Sequence, residues 1–372
     1  MNKELQEGTV SSMKKHIALI LAFLLLIMTG SGTAEAASIE ATVVRINKYG
    51  HARLDITEAD FTGAGFDLGD IVTVTCGSYV ADMPVFNGYY ADRGDCMLRV
   101  DPNNGSISLC VNYGSFSETA GVDAGDAVTI TMKEKDGART TQEINNLVYS
   151  DDRADYASDA IFANFRPVAE GKLYRSASPV DNRANRAHYA DRLIQEAGVQ
   201  TVMNMANTPE AIAAFVTAED FDSPCYRDLF EAGKVFAVQM TVDFTSEDFA
   251  ADVVKGFSFL AEGNTPYLVH CREGKDRTGF AVMVLEALMG WDEAQIVADY
   301  MQTYTNYYGI EPGTEKYDMI AGKNIREMLY VMAGPEYGTS LEDIDLKTAA
   351  ETYLIHYGMG EETLKLLEGK LM

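Results

Sequence analysis

The chain is short of basic residues. Thirty lysines and arginines face 56 aspartates and glutamates in 372 residues, a formal net charge of −26. That argues against nucleic-acid binding, which draws its affinity from clustered cations, and against attraction to anionic lipid surfaces. Any contact with a membrane would come only through a substrate. Cysteine is scarce as well. Cys76, Cys96, Cys110, Cys225 and Cys271 form no Cys-x-x-Cys pair, and His51, His188, His270 and His356 are scattered without zinc spacing. No metal site and no cofactor are expected. Three of the cysteines fall in the N-terminal region, where an exported protein has room for one disulfide. A long apolar run is also missing. The one from Ile17 to Met28 is too short for a comfortable membrane span. It follows basic Lys14-Lys15-His16 and precedes the small-x-small string Ala34-Glu-Ala36. Residues 1–37 therefore read as a signal peptide cleaved near 36/37, and the protein as exported, secreted or at the cell surface. An uncleaved anchor is the alternative.

Hydrophobic residues make up 47% and aromatics 10% of the chain, enough for a sizeable core, and the length allows two domains. Residues 38–150 carry short β-type runs punctuated by Gly, Asn and Asp: Ile39–Val44, Ile71–Thr75, Met97–Val100, Ile107–Val111 and Ala127–Thr131. Asp67-Leu-Gly-Asp70 and Asp123-Ala-Gly-Asp126 read as turns before strands. This region is expected to be a small all-β accessory domain, a barrel or sandwich. From about residue 160 to 372 the pattern is α/β. Helices are expected over 183–197, 247–262, 292–300, 313–332, 346–357 and 361–371, and strands at 199–205 and 235–240.

Residues 270–279 read His-Cys-Arg-Glu-Gly-Lys-Asp-Arg-Thr-Gly. The apolar Pro266-Tyr-Leu-Val precedes them and a helical pattern to Met289 follows. Strand, tight loop and helix start then come in succession. A loop at a helix N-terminus gathers N–H groups around an anion, and the helix dipole favours negative charge there. Arg277 adds a guanidinium fork. The same field favours an ionised sulfur on Cys271, a nucleophile beside a bound phosphate. The expected phosphate-binding loop is Arg272, Glu273, Gly274, Lys275, Asp276 and Arg277. Lys275 and Arg272 either contact further phosphates or pair with Asp276 and Glu273.

The string resembles the His-Cys-x5-Arg-Thr signature of the protein tyrosine phosphatase superfamily. Its Gly-Lys-Asp-Arg-Thr-Gly form is similar to the bacterial branch of tyrosine, dual-specificity and phosphoinositide phosphatases. Asn164-Phe-Arg-Pro, Gly171-Lys-Leu-Tyr-Arg-Ser-Ala-Ser-Pro179 and Asp299-Tyr300 resemble that branch too, so the likeness covers about 160–372. Asn204-Met205-Ala206 stands where the family tends to have Asp-Leu-Arg. The resemblance implies a central, mostly parallel sheet flanked by helices. It implies a phosphomonoester hydrolase acting through a phosphocysteine on Cys271. Arg277 would stabilise the transition state, Thr278 would hydrogen-bond the sulfur and His270 would support the loop. It also implies an aspartate acid. Asp243, after the strand near 236–240, is the first choice, with Asp248 and Asp276 as alternatives. Substrates would be phosphorylated proteins, tyrosine or dual-specificity. Phosphoinositides or inositol phosphates are the alternative, and a catalytically inactive phosphate-binding module is a reading of another class. More weakly, Met97 through Gly114 to Gly125-Asp-Ala-Val resembles the β-barrel domain of the SAM hydroxide adenosyltransferases, which implies a fold and no catalytic role.

Overall fold

The computed structural model describes residues 36–334 and 340–372, so the signal segment expected at 1–37 lies, but for its last two residues, outside the described residues. The chain divides into two compact units, up to Asn145 and from Asn146 onward.

The first unit is a closed seven-stranded barrel: β1 (Ser38–Ile46), β2 (Ala52–Thr57), β3 (Ile71–Cys76), β4 (Tyr79–Phe86), β5 (Cys96–Val100), β6 (Ser106–Val111) and β7 (Ala127–Glu134), in the order β1-β2-β6-β5-β4-β3-β7. Closure leaves no unpaired sheet edge. β4 and β5 pair in parallel, and the other neighbours are antiparallel. Val43, Leu54, Val72, Val74, Leu98 and Ile130 alternate inward to fill the interior. The two Asp-x-Gly-Asp turns are built alike. Asp67 N–H donates to Asp70 at 2.7 Å and Asp123 N–H to Asp126 at 2.8 Å. Gly69 and Gly125, with φ of 87° and 101°, make the reversal. Short helices α1 (Glu58–Gly63) and α2 (Phe116–Ala120) precede the two turns, and α3 (Arg139–Ile144) follows β7. β2 and β4 were not foreseen. Pro84 lies inside β4 and argues against a central strand, yet its place at the β3/β4 register end, opposite Ile71, admits it. Cys76, Cys96 and Cys110 are free thiols, so the room for one disulfide in this region is not used.

The second unit holds a five-stranded sheet in the order β11-β10-β12-β9-β8, with β8 (Arg166–Ala169), β9 (Leu173–Ser176), β10 (Thr201–Asn204), β11 (Val235–Ala237) and β12 (Tyr267–His270). β12 lies between β10 and β9 and is parallel to both; β10 and β11 are also parallel, and β8 runs antiparallel to β9. Helices α4 (Asp159–Phe162), α5 (Ala187–Glu196), α6 (Pro209–Val216), α7 (Pro224–Glu231), α8 (Glu247–Glu262), α9 (Asp276–Leu288) and α10 (Glu293–Tyr308) connect them. The chain closes with α11 (Glu315–Ala321), α12 (Glu327–Ala333), α13 (Leu346–His356) and α14 (Glu361–Leu371). Every residue of α9 from Thr278 to Leu288 is buried. A helix apolar on all sides belongs at the centre of a domain, and α10 and α13 pack on it. The helix expected at 313–332 is interrupted by a π-turn at Gly322–Arg326. α10 runs to Tyr308, eight residues past the expected end, until Gly309 caps it at φ 64°.

Candidate active site

β12 ends at His270, and α9 begins at Asp276. The five residues between make the loop, at the carboxyl end of a strand with parallel neighbours on both sides, where open α/β sheets bind ligands. Its shape is set by where its carbonyls go. The Arg272 carbonyl accepts from Ser178 N–H at 2.9 Å. The Glu273 carbonyl accepts from Tyr307 Oη at 2.7 Å. The Gly274 carbonyl accepts from Arg175 Nη2 at 2.9 Å and Asn164 Nδ2 at 3.2 Å. A trans peptide points its N–H opposite its C=O. Three carbonyls drawn outward therefore turn the N–H groups of Glu273, Gly274 and Lys275 inward. Among the described residues, none accepts from the N–H groups of residues 272–278. A concave array of free donors at a helix start has the geometry and polarity to accept an oxyanion. Gly274 is required in it: its φ is +68°, and a Cβ there would sit 2.3 Å from the Ser176 carbonyl oxygen.

Cys271, with 3% of its surface exposed, opens the loop. Thr278 is fully buried and its hydroxyl has no partner, so an unused donor is held on the first turn of α9. Arg277 anchors Nη1 on the carbonyls of Met205 (2.9 Å) and Met240 (3.1 Å). The rest of its fork is left for an anion. Lys275 Nζ lies 2.6 Å from Asp276 and 5.5 Å from the Tyr304 ring. Burial opposes its charge, but Asp276 and Tyr304 outweigh burial and hold its ammonium well above the usual range. Lys275 and Asp276 are thus occupied with each other. Arg272 is half-exposed and reaches Asp181 only at 3.9 Å, while the Glu273 carboxylate meets Tyr149.

Asp243 lies on the exposed segment between β11 and α8, three residues beyond Met240, and its carboxylate accepts from Thr245 N and Oγ1 at 3.3 and 2.8 Å. Asp248 is exposed in the first turn of α8, where carboxylates stabilise a helix N-terminus.

His270 is fully buried. Its Nδ1 lies 3.1 Å from the Cys271 carbonyl, and Nε2 lies 3.4 Å from Tyr226 Oη. Tyr226 Oη in turn accepts from Asn204 Nδ2 at 2.8 Å. The unusual Asn204 thus reaches the loop through Tyr226 and His270. Burial pushes His270 down to about 4, with the Arg277 charge acting the same way and the Cys271 carbonyl opposing, so the ring is neutral at pH 7. The unfolded chain protonates histidine near 6.5 and binds more protons than the folded one between those values. Stability therefore falls as pH falls through that window. Asp191, which burial raises to about 6, and buried Glu286 act in the opposite sense. We expect wild type to lose about 3 kcal/mol more than His270→Asn between pH 6.5 and 4 in urea unfolding. Parallel curves would rule out a buried neutral ring.

Behind the loop lies a buried cluster drawn from segments far apart in the chain. Asp299 of α10 sits between Arg166 (2.8 Å) and Arg175, which it also bonds. Burial raises the cost of its charge, but the two guanidiniums outweigh that and hold its carboxyl well below the usual carboxylate range. Glu286 faces the same group, and burial, followed by the Asp299 charge, pushes it well above its ordinary value. Asn164, at φ +49°, links Arg166, Gly274 and Thr303. Tyr307 is stacked 5.0 Å from the buried Arg186 guanidinium. Among the described residues, no group of three potential metal ligands is found.

A sequence model of the tyrosine phosphatase family matches residues 159–372, more than half of the chain. The chain belongs to the tyrosine phosphatase family. A Cupriavidus necator protein, named provisionally as a tyrosine-protein phosphatase, is 30% identical over 158 residues; the match covers 38% of this chain and 56% of that protein. Among solved structures, TpbA of P. aeruginosa is similar at 19% identity and a TM-score of 0.30, covering 51% of this chain and 91% of its own. An uncharacterized conserved protein of Thermotoga maritima is similar at 23% identity and a TM-score of 0.25, covering 26% and 37%. The loop carrying Cys271 and Arg277 falls inside the stretch matched to the tyrosine phosphatase family.

Proposed function

We propose that this member of the tyrosine phosphatase family hydrolyses phosphate monoesters through a phosphocysteine, with phosphotyrosine on proteins as its substrate. The observation that carries the reading is the loop at residues 272–278, whose N–H groups stand free beside Cys271 and the open side of the Arg277 fork. The Cys271 thiolate attacks phosphorus, the S–P bond forms as the P–O bond breaks, and Asp243 gives its proton to the departing oxygen. Water then attacks phosphorus, Asp243 takes back a proton, and the S–P bond breaks to release inorganic phosphate. Loop amides and Arg277 hold the equatorial oxygens through both steps, and Thr278 steadies the departing sulfur. Asp243 is favoured over Asp276 because Asp276 is paired with Lys275, and over Asp248 because Asp248 serves a helix start. The Met240 carbonyl on Arg277 ties the Asp243 segment to the site.

The basic start and apolar run at residues 14–28 support export of the protein, with the barrel as an accessory unit. A second reading, a phosphoinositide or inositol phosphate as substrate, rests on Arg272, the one half-exposed and loosely held cation of the loop. Lys275, locked by Asp276, weakens it. Phosphopeptides bearing tyrosine or serine/threonine phosphate, phosphoinositides and soluble inositol phosphates at matched concentration separate the readings. Preference for phosphotyrosine peptides supports the first, and Arg272→Ala losing only the inositol substrates supports the second.

Asp243→Asn tests the acid. Turnover of an alkyl phosphate should fall about 10²-fold, and that of p-nitrophenyl phosphate far less, because its leaving group needs no proton. Equal rates in variant and wild type on both substrates would remove Asp243 from the mechanism.

A further inference from the structure

The barrel carries a cavity of about 620 Å³ lined by Tyr49, His51, Tyr89, Val111, Asn112 and Tyr113, with Gly114. Tyr49, Tyr89 and Tyr113 are 62%, 46% and 80% exposed. They are the tyrosines that stand out among the large exposed apolar side chains of the described residues, and all three meet at this one place. Large rings in water are retained at a surface when something stacks on them. The backbone points the same way. Tyr113 has φ +57° at the tip of the Val111–Gly114 turn, a conformation in which Gly or Asn would be relaxed and a bulky residue is strained. Tyr49, His51 and Tyr89 follow one another at ring spacings of 6.0 and 5.6 Å, tilted by 39° and 43°. They make a curved ribbon of ring faces.

Its charge differs from that of the chain. Lys48, Arg93 and Arg99 lie 4.8, 4.8 and 4.9 Å from the rings of Tyr49, Tyr113 and Tyr89. Arg99 is paired with Asp101, but Lys48 and Arg93 have no acidic partner among the described residues. Asn112 spends its amide N–H on the Ala91 carbonyl at 2.8 Å, which leaves its side-chain oxygen as an acceptor. Ring faces for C–H surfaces, an amide oxygen and phenol hydroxyls for ligand hydroxyls, and two cations that rest on rings with no acidic partner among the described residues define one ligand chemistry.

We propose that this cavity binds an acidic saccharide, a pyranose chain carrying carboxylate or sulfate groups. Sugar rings stack on the tyrosine ribbon, and the anionic groups meet Lys48 and Arg93. The site belongs to the barrel alone and does not depend on the phosphatase reading. A net charge of −26 repels polyanions, so binding to one would reflect the site rather than bulk attraction.

The full chain, as wild type, as Tyr49→Ala/Tyr89→Ala/Tyr113→Ala and as Lys48→Glu/Arg93→Glu, is run through native gels containing polygalacturonate, dextran sulfate or neutral dextran. Melting curves and p-nitrophenyl phosphate turnover serve as fold controls. Wild type should be retarded by polygalacturonate, by dextran sulfate, or by both, and the pattern distinguishes carboxylated from sulfated sources. Neutral dextran should have no effect, and both variants should bind about tenfold more weakly or worse. No retardation by either acidic polymer overturns the proposal. So does retardation that the triple tyrosine variant keeps, which would mean charge alone, or equal retardation by neutral dextran.

Discussion

Replacing Cys271 with serine is expected to lower turnover of p-nitrophenyl phosphate by about 10⁴-fold or more, the scale on which loss of a covalent nucleophile is felt. It should leave the affinity for an oxyanion such as tungstate close to wild type. The two halves of this expectation come from different parts of the site. In the proposed mechanism the anion is held by the main-chain N–H groups of residues 272–278, which have no acceptor among the described residues, and by Arg277, none of which the substitution touches. The bond to phosphorus needs the sulfur. Serine keeps the shape of a nearly buried position (Cys271 is 3% exposed) but is a poor nucleophile without a neighbouring base, and the neighbouring histidine cannot supply one. His270 directs Nδ1 to the Cys271 carbonyl and Nε2 to Tyr226. Rapid-quench labelling with ³²P-substrate should trap a phosphoenzyme in wild type and none in the variant. Full activity in Cys271→Ser would end the phosphocysteine reading. An inert wild type that still binds tungstate would identify a phosphate-binding module instead.

The strand, loop and helix that carry the candidate residues were legible because they sit in one unbroken string. Cys271, Gly274, Arg277 and Thr278 are placed by a single strand, turn and helix, and local sequence carries all three signals. α8 was legible end to end for a similar reason: Ser246 caps it through Phe249 N–H at 3.2 Å, and apolar residues recur at helical spacing up to Glu262. What escaped is long-range. Arg175 and Asp299 are 124 residues apart in the chain, and nothing in either neighbourhood announces the other. Lys275 seemed free to meet substrate phosphates or to pair, and only the fold closes it onto Asp276 and Tyr304. In the barrel, the repeated Asp-x-Gly-Asp turns were visible as strings, but β2 was hidden by its polar half. Arg53 and Asp55 face solvent while Ala52 and Leu54 turn inward, so only two of its six residues are buried.

Asp299→Asn is expected to destabilise the protein by about 3–5 kcal/mol, because it leaves the guanidiniums of Arg166 and Arg175 buried without their shared carboxylate. The cost should not stop at stability. Arg175 holds the Gly274 carbonyl at 2.9 Å, and that peptide turns the Lys275 N–H to the concave side of the loop, where the proposed mechanism places the anion. A guanidinium released from Asp299 no longer fixes the peptide, and misplacing a cradle by a fraction of an ångström costs on the order of 10²-fold in rate. The inhibition constant of inorganic phosphate should rise along with the loss of turnover, which a change in global stability alone would not produce below the melting range. Arg175→Lys should share this defect, since a lysine keeps the charge but not the fork that spans Asp299 and Gly274. Glu286 supplies the internal check. In wild type burial, followed by the Asp299 charge, pushes its carboxyl well above its ordinary value; facing two unpaired cations it should ionise more readily and recover part of what Asp299→Asn loses. The double variant Asp299→Asn/Glu286→Gln should therefore be less stable than the sum of its singles, a coupling readable in a double-mutant cycle. Unchanged phosphate inhibition in Asp299→Asn would show that the cluster braces α10 against the sheet without setting the geometry of the loop.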